Sequence, residues 1–571
     1  MIGMPFTRKS AGSPSGEARI VVQGARKFSG GRARRRVLMT MAVFMGIYTV
    51  IGGRLALLAM EEPRQGGPAI ARQQASRPDI VDRNGDVMAT DIITASLFAE
   101  PRNIVDPDEA IEQLVTVLPD LDYEQTYRRL KSDAGFVWLK RELTPAQKAQ
   151  IHRLGIPGIG FRAEKRRFYP GGPTAAHILG LVNIDNQGIA GIEKYIDGQG
   201  LADLRDAGLA AADDLAPFQL SIDQRVQHIV RDELEDAMAR YKAIAAGAVV
   251  LDVHTGEIAA MASLPDFNPN NPFNANDKDR LNRMSAGVFE MGSTFKAFTT
   301  AMALDSGLVS INDHFDATRP IRIAGFTIND FHGKRRVLSV PEIFIYSSNI
   351  GTAKMADAVG IEGHRAFLKR MGLLDRVTLE LPEVATPTEP REWKKLNSIT
   401  ISYGHGMSTT PLQTAVAAAA LLNGGKLIPP TLLPRTQQEA DSLARQVLSE
   451  KASQEMRYLF RLNVEKGSGR RAEVPGYFVG GKTGTAEKVV RGRYSSEKRF
   501  NAFLAAFPID DPQYVVLVII DEPKPEAGKS GATAGSNAAP MVGNIIRRSA
   551  AILGVQPDFG LPTGAALVSN R

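Results

Sequence analysis

Two stretches of the chain place a serine three residues ahead of a lysine, a spacing that sets hydroxyl and amine on one face of a helix: Ser293 to Lys296 and Ser495 to Lys498. A hydroxyl is a weak nucleophile, and a lysine can take its proton only if burial or neighbours depress the amine pKa. Context separates the two. Ser293 follows Gly292 and opens the apolar run Thr294 to Leu304, read as a helix closed by Gly307. Its hydroxyl then sits at a helix N-terminus, where N–H groups and the dipole favour developing negative charge. Ser495 to Lys498 lies in a polar stretch, 491–499, expected to connect two strands with nothing to bury the lysine.

Two further patterns are also doubled. S-x-N occurs at Ser310 to Asn312, close behind Lys296, and at Ser347 to Asn349, between apolar Ile343 to Tyr346 and a helix expected from Ile350. The second can project from a helix connection into a cleft. K-[ST]-G occurs at Lys482 to Gly484 in a strand pattern and at Lys529 to Gly531 in a loop rich in Gly and Pro. In the strand, alternation puts Thr483 and Thr485 on one face, able to bind a substrate carboxylate, while Lys482 supplies fixed positive charge. Gly480 and Gly481 before them lower the bulk so that another backbone can approach, which suits an edge strand binding an extended peptide.

Other chemistries fit less well. The eight histidines are scattered without helical pairing, so no metal site is expected, and the absence of cysteine excludes disulfides and a thiolate nucleophile. Gly476 to Thr483 matches a P-loop letter for letter. However, Tyr477, Phe478 and Val479 are strand formers inside the supposed loop, and Gly484 follows where a helix should begin.

These candidates need elements to hold them. Residues 222–240 read as a helix, Ala246 to Val253 and Glu257 to Ser263 as a hairpin, and Phe478 to Lys488, Asn501 to Phe507 and Tyr514 to Asp521 as three late strands. The intervening residues are mostly helical by pattern, so a sheet formed from the two ends of a domain around a helical insert is expected. Upstream, an Asn84-Gly85 turn between short strands, helices near 107–117 and 122–131, and a helix entered through Thr144-Pro145-Ala146-Gln147 form a second module without a catalytic cluster.

The chain of 571 residues carries a net charge of +7. Residues 1–36 hold nine Lys or Arg and one Glu, a local +8, so the remainder is −1 and a nucleic-acid partner is not expected. That tail runs into the uncharged, mostly apolar Val37 to Gly53, with Leu55 to Met60 continuing beyond Arg54. The run is longer than a signal-peptide core and lacks a small-residue cleavage site, so it reads as an uncleaved membrane anchor with the tail inside.

Phe289 to Lys296 (FEMGSTFK) resembles the F-E-P-G-S-T-x-K motif of class B penicillin-binding proteins, with Met291 in place of proline. Asp252 to Ala262, Asn268 to Asn271, Tyr403 to Gln413 and Gly480 to Thr485 match the same family in order, over about 80–555. Arg166 to Pro170, Ala176 to Gly180 and Gln187 to Glu193 resemble its division-specific, FtsI-type branch. The resemblance implies an α/β transpeptidase domain, penicillin-binding and serine β-lactamase-like, with an antiparallel sheet and helical insert over 217–555. An α+β pedestal over 61–216, one transmembrane helix at 37–60, a cytoplasmic tail at 1–36 and a C-terminal tail at 556–571 complete the expected plan.

It further implies a cofactor-free D,D-transpeptidase cross-linking peptidoglycan stem peptides during septal wall synthesis. Ser293 would form the acyl-enzyme with help from Lys296, Ser347 would relay a proton, Asn349 would position the peptide, and Lys482 would polarise Ser347. Backbone N–H groups of Ser293 and Thr485 would hold the oxyanion, with Thr483, Gly484 and Thr485 in the substrate-binding strand. Implied partners are stem peptides, β-lactams, a membrane glycosyltransferase and other divisome proteins. A serine β-lactamase, a non-catalytic β-lactam sensor or scaffold, and an elongation-type transpeptidase share these motifs.

Overall fold

The computed structural model describes residues 38–49, 51–52, 77–201, 215–490, 493–526, 528 and 531–559. Residues 38–49 and 51–52 are helical with exposed side chains. Among the described residues no helix is long and apolar enough to cross a membrane. The expected tail at 1–36, residues 37, 50 and 53–60 of the expected anchor, and residues 61–76 lie outside the described residues, as do Lys529, Ser530 and residues 560–571.

The pedestal is a small sheet backed by helices. Strand β1 (Ile80–Val81) turns through Gly85 into β2 (Val87–Ala99), which pairs antiparallel with both β3 (Val137–Leu143) and β4 (Ile159–Phe168). The second strand runs 13 residues, longer than expected, because β4 pairs with it continuously from Thr90 to Ala99. Helices α1 (Pro107–Val117), α2 (Tyr123–Leu130) and α3 (Pro145–Leu154) bury Ile111, Leu114, Leu130 and Ile151 against Leu97 and Leu139. Thr144 and Gln147 form the capping box that the sequence implied for α3. Below this sheet, Glu193 binds Arg77 at 2.7 Å and Arg167 at 2.6 Å, all three buried, and Asp91 and Asp197 complete the network. Strand β5 (Phe218–Gln219) pairs parallel with β1, so the pedestal sheet reaches past residue 216.

The larger sheet follows helix α4 (Gln224–Tyr241). It contains β6 (Ala245–Asp252), β7 (Ile258–Leu264), β8 (Gly480–Val490), β9 (Arg493–Phe507) and β10 (Tyr514–Asp521), ordered β8-β9-β10-β6-β7 with antiparallel neighbours. Alternation along the buried β10 sends Val515, Leu517 and Ile519 to the insert side and Val516, Val518 and Ile520 to the opposite core. The insert contributes α5 (Phe295–Asp305), α6 (Val340–Tyr346), α7 (Asn349–Val359), α8 (Pro411–Leu422) and α9 (Glu450–Lys466); α4 and α10 (Ala538–Ser549) cover the other face.

One expectation is corrected. The polar stretch 491–499 is not a plain connection: β8 and β9 extend to Val490 and from Arg493, with a register shift between Glu487 and Lys488. This end of the hairpin shows no period-2 apolar signal because most of its described side chains are partly or wholly exposed.

Candidate active site

Ser293 occupies a single 3₁₀ turn, Gly292–Thr294, that feeds α5. Two other backbones close on this turn where glycine removes the side chain. A Cβ on Gly484 would lie 2.6 Å from the Met291 carbonyl, and one on Gly404, at φ +90°, would lie 1.9 Å from the Gly292 carbonyl. Gly484 therefore seats strand β8 against the serine turn and does not line the cleft. Gly480 and Gly481, expected to admit an incoming backbone, are instead packed by Ile509 and by the Phe503 ring.

Lys296, one turn along α5, is 1% exposed. Its amine donates to the Ser347 carbonyl at 2.5 Å and to Ser347 Oγ at 3.1 Å; among the described residues it makes no hydrogen bond to Ser293 Oγ. Catalytic hydrogen bonds are often loose before substrate binds and tighten in the complex. Lys482, fully buried in β8, donates from the other side to Ser347 Oγ at 3.1 Å and to the Thr483 carbonyl at 3.0 Å. Ser347 is thus held between two amines.

Burial drives both lysines toward neutrality. Lys296 is pushed well below the ordinary lysine range by burial and then by the charge of Lys482, and burial brings Lys482 down to about 7. A permanently fixed charge on Lys482 therefore gives way to one that titrates near neutral pH.

Ser347 caps α6 in the left-handed region at φ +56°, which is uncommon for a residue with a side chain. The next residue, Ser348, caps α7 and donates to Asp330 Oδ2 at 2.8 Å, while Asp330 Oδ1 accepts from the Ile350 N–H at 2.9 Å. Asn349 is tied through Nδ2 to the Asn329 carbonyl at 2.8 Å. On β8, Thr483 Oγ1 lies 2.6 Å from Ser468 Oγ, and Thr485 Oγ1 accepts from the Ala534 N–H at 3.2 Å.

Ser293, Lys296, Ser347, Asn349, Thr483 and Thr485 converge on one cleft of about 610 Å³. Lys482 stands behind it, bonded to Ser347 Oγ. Strand β8 forms a wall and is an edge of its sheet, leaving a side free for an extended peptide. The duplicate motifs fall elsewhere: Ser310 to Asn312 is an exposed loop, and Ser495 to Lys498 lies in β9, with Lys498 bridging to Glu522 at 3.2 Å. Lys482 and Thr483 stand inside a strand, so no phosphate-cradling helix starts there.

A model of the penicillin-binding protein transpeptidase domain matches residues 246–547, more than half of the chain, and one of the penicillin-binding protein dimerisation domain matches 72–199. The chain belongs to the class B penicillin-binding proteins. Among its relatives, Caulobacter vibrioides "Probable peptidoglycan D,D-transpeptidase FtsI" is 42% identical over 520 residues, covering 89% of this chain and 86% of that protein. Escherichia coli "Peptidoglycan D,D-transpeptidase FtsI" is 31% identical over 555 residues, covering 90% of each. The crystal structure of penicillin-binding protein 3 from Mycobacterium tuberculosis, complexed with aztreonam, superposes with a TM-score of 0.65 at 25% identity, covering 85% of this chain and 98% of that one.

In this class B penicillin-binding protein, several cleft residues escape a motif reading. His405 lines the cleft, its pKa lowered to about 4 by burial and the nearby Lys296 charge, and its ring meets Tyr494 edge-on at 5.5 Å. Glu290, three residues before the serine, accepts from the Gly406 N–H at 2.8 Å and from Tyr494 OH at 3.2 Å. The matched stretches Phe289 to Lys296 and Tyr403 to Gln413 contain Glu290 and His405 without disclosing that both meet Tyr494. Asp330 and Ser468 lie outside every quoted motif.

Proposed function

We propose that the chain is a peptidoglycan D,D-transpeptidase of septal wall synthesis. The convergence of two buried lysines on Ser347, beside Ser293 and an edge strand, carries this reading. Neutral Lys296 accepts the Ser293 proton, and Oγ attacks the penultimate D-Ala carbonyl of a stem peptide lying along β8. Backbone N–H groups of Ser293 and Thr485 hold the oxyanion, each such donor contributing about 3 kcal/mol in the transition state. The C–N bond breaks, Ser347 hands a proton to the departing D-Ala amine, and Lys482 and Asn349 keep Ser347 and the peptide in place. An amine of a second stem peptide then attacks the ester, forming the cross-link and restoring Ser293. β-Lactams acylate the same oxygen.

Fluorescent penicillin tests the nucleophile: Ser293→Ala removes covalent labelling and Ser495→Ala retains it. Persistent labelling of the first variant overturns the assignment. Rapid release of hydrolysed penicillin would mark a β-lactamase instead, and acylation without turnover of a thioester donor would mark a sensor. The names of the FtsI relatives support the division role, and lateral-wall instead of septal fluorescence of a tagged chain would move it to elongation.

The basic tail before the apolar run supports a single-pass anchor at 37–60 with the catalytic domain outside the cytoplasm. The pedestal is assigned to 61–216, the transpeptidase domain to 217–555 and a tail to 556–571. A membrane glycosyltransferase supplies the strands to be cross-linked, within a division complex. Extraction of the chain into carbonate buffer would refute the anchor.

A further inference from the structure

Cross-linking faces a proton problem that acylation does not share. The incoming nucleophile is a primary amine, and such a group, with an ordinary pKa of about 10.4, is almost wholly an ammonium near neutral pH. An ammonium has no lone pair, so one proton must leave before nitrogen can attack the ester, and a second must leave as the amide forms. The second is balanced within the site: Lys296, neutral through burial, takes it and returns it to Ser293 Oγ as the ester C–O bond breaks. The first needs another receiver, because Lys296 has one lone pair and both lysines are buried against Ser347.

Among the described residues the cleft walls offer few receivers. Arg470, Arg471 and Arg499 carry guanidinium groups, which stay protonated. Glu487 is a carboxylate, a weaker base than an imidazole. Burial lowers the His405 pKa to about 4 and encloses its Nδ1, so this ring takes up no proton near neutrality. His332 is the other histidine of the cleft. It is exposed, it lines the cleft with Tyr346, Ser347 and Asn349, and imidazole is the side chain suited to exchanging protons in the neutral range.

The loop that carries His332 is tied to the catalytic junction. Two residues earlier, Asp330 accepts from Ser348 Oγ at 2.8 Å and from the Ile350 N–H at 2.9 Å, and the Asn329 carbonyl accepts from Asn349 Nδ2 at 2.8 Å. The imidazole meets the Phe331 ring with centroids 4.4 Å apart. Its position is thus set by the same segment that sets Ser347, while its ring keeps contact with water.

We propose that His332 is the general base for the acceptor amine, taking the first proton from the ammonium in the cleft and passing it to solvent. The role rests on the transpeptidase reading, which supplies both ester and amine. An ammonium N–H gives its proton to the imidazole, and the freed lone pair forms the new C–N bond. The second nitrogen proton passes through Lys296 to the Ser293 oxygen as the C–O bond breaks, and the imidazolium loses its proton to water. Charge and protons balance without a further reactant.

A thioester donor forms the acyl-enzyme on full-length protein, and added D-alanine competes with water to resolve it. The ratio of amide to hydrolysed product reads the second step alone, whatever the rate of the first. His332→Ala lowers that ratio about tenfold or more with D-alanine. With hydroxylamine, which is already a neutral nucleophile near neutral pH, the ratio stays within about twofold of the unsubstituted chain, as expected when no base is needed. His332→Gln keeps a polar side chain but takes up no proton, and it behaves as His332→Ala. An unmoved ratio with D-alanine, an equal loss with both nucleophiles, or a His332→Gln that retains the ratio overturns the proposal. A chain that forms no acyl-enzyme from the donor overturns the transpeptidase reading and the role of His332 with it, whereas acylation followed by any of those three results overturns His332 alone.

Discussion

At Ser347 the hydroxyl is shared by two amines, and their protonation decides which of them can take up a proton. Lys296 works as a base when neutral, and burial with the Lys482 charge lowers its pKa well below the ordinary 10.5. The rate of penicillin acylation is therefore expected to level off well below pH 10.5 and to fall on acidification; a rate still climbing through pH 10 would identify an ordinary lysine. Lys482 adds a stability consequence. Its pKa is about 7 in the fold against 10.5, so the native state binds fewer protons than the unfolded chain between those values. Stability rises with pH across that window, and the penalty is full below it. Lys482→Met is thus expected to raise Tm at pH 6, to lose that advantage by pH 11, and to abolish penicillin labelling; calorimetric scans at both pH values check it. These residues were legible because the Ser293, Ser347 and Lys482 motifs each carry their own local setting, a helix entry, a helix junction and a strand. Asp330, Ser468 and the Glu290–Tyr494 pair were not, because their contacts arise from segments brought together only by tertiary packing.

Among the elements, the junction of β8 with the serine turn sets the reactive geometry. A side chain at Gly484 would strike the Met291 carbonyl, the Thr294 methyl and the Thr294 N–H. Displacement of the turn by about 1 Å costs on the order of 100-fold in reactivity. Gly484→Val is expected to lose that much acylation rate, measured by stopped-flow with a chromogenic β-lactam, while circular dichroism remains unchanged. The strand itself was legible from alternation, and the helix that follows the Ser293 turn from its glycine entry and apolar run. The extension of the hairpin over 489–490 and 493–500 was not, since solvent on its exposed positions removes the apolar period from the sequence. The roles of Gly480 and Gly481 were misread for a related reason: Ile509 and Phe503, which fill the space beside them, come from other strands or loops.

For the molecule as a whole, the pedestal depends on a buried charge cluster. Glu193 neutralises both Arg77 and Arg167, so Glu193→Gln leaves buried guanidinium groups undercompensated and is expected to cost about 3–5 kcal/mol in urea unfolding. Penicillin labelling per folded molecule is expected to stay unchanged, since Glu193 lies outside the catalytic cleft. The sheet plan was legible because its five strands are long apolar or alternating runs, whereas the parallel pairing of Phe218–Gln219 with Ile80–Val81 was not, a two-residue strand having too little pattern to be seen. The order of those strands has a consequence for how the protein is made. Asp252 lies opposite Tyr514, so the early hairpin waits through the synthesis of the whole insert for its central neighbour. Such distant pairing makes folding slow and leaves the apolar β6 uncovered on the nascent chain. Ser293 is synthesised long before β8 and its Lys482, and the reactive centre comes into being only when the last third of the polypeptide has been delivered.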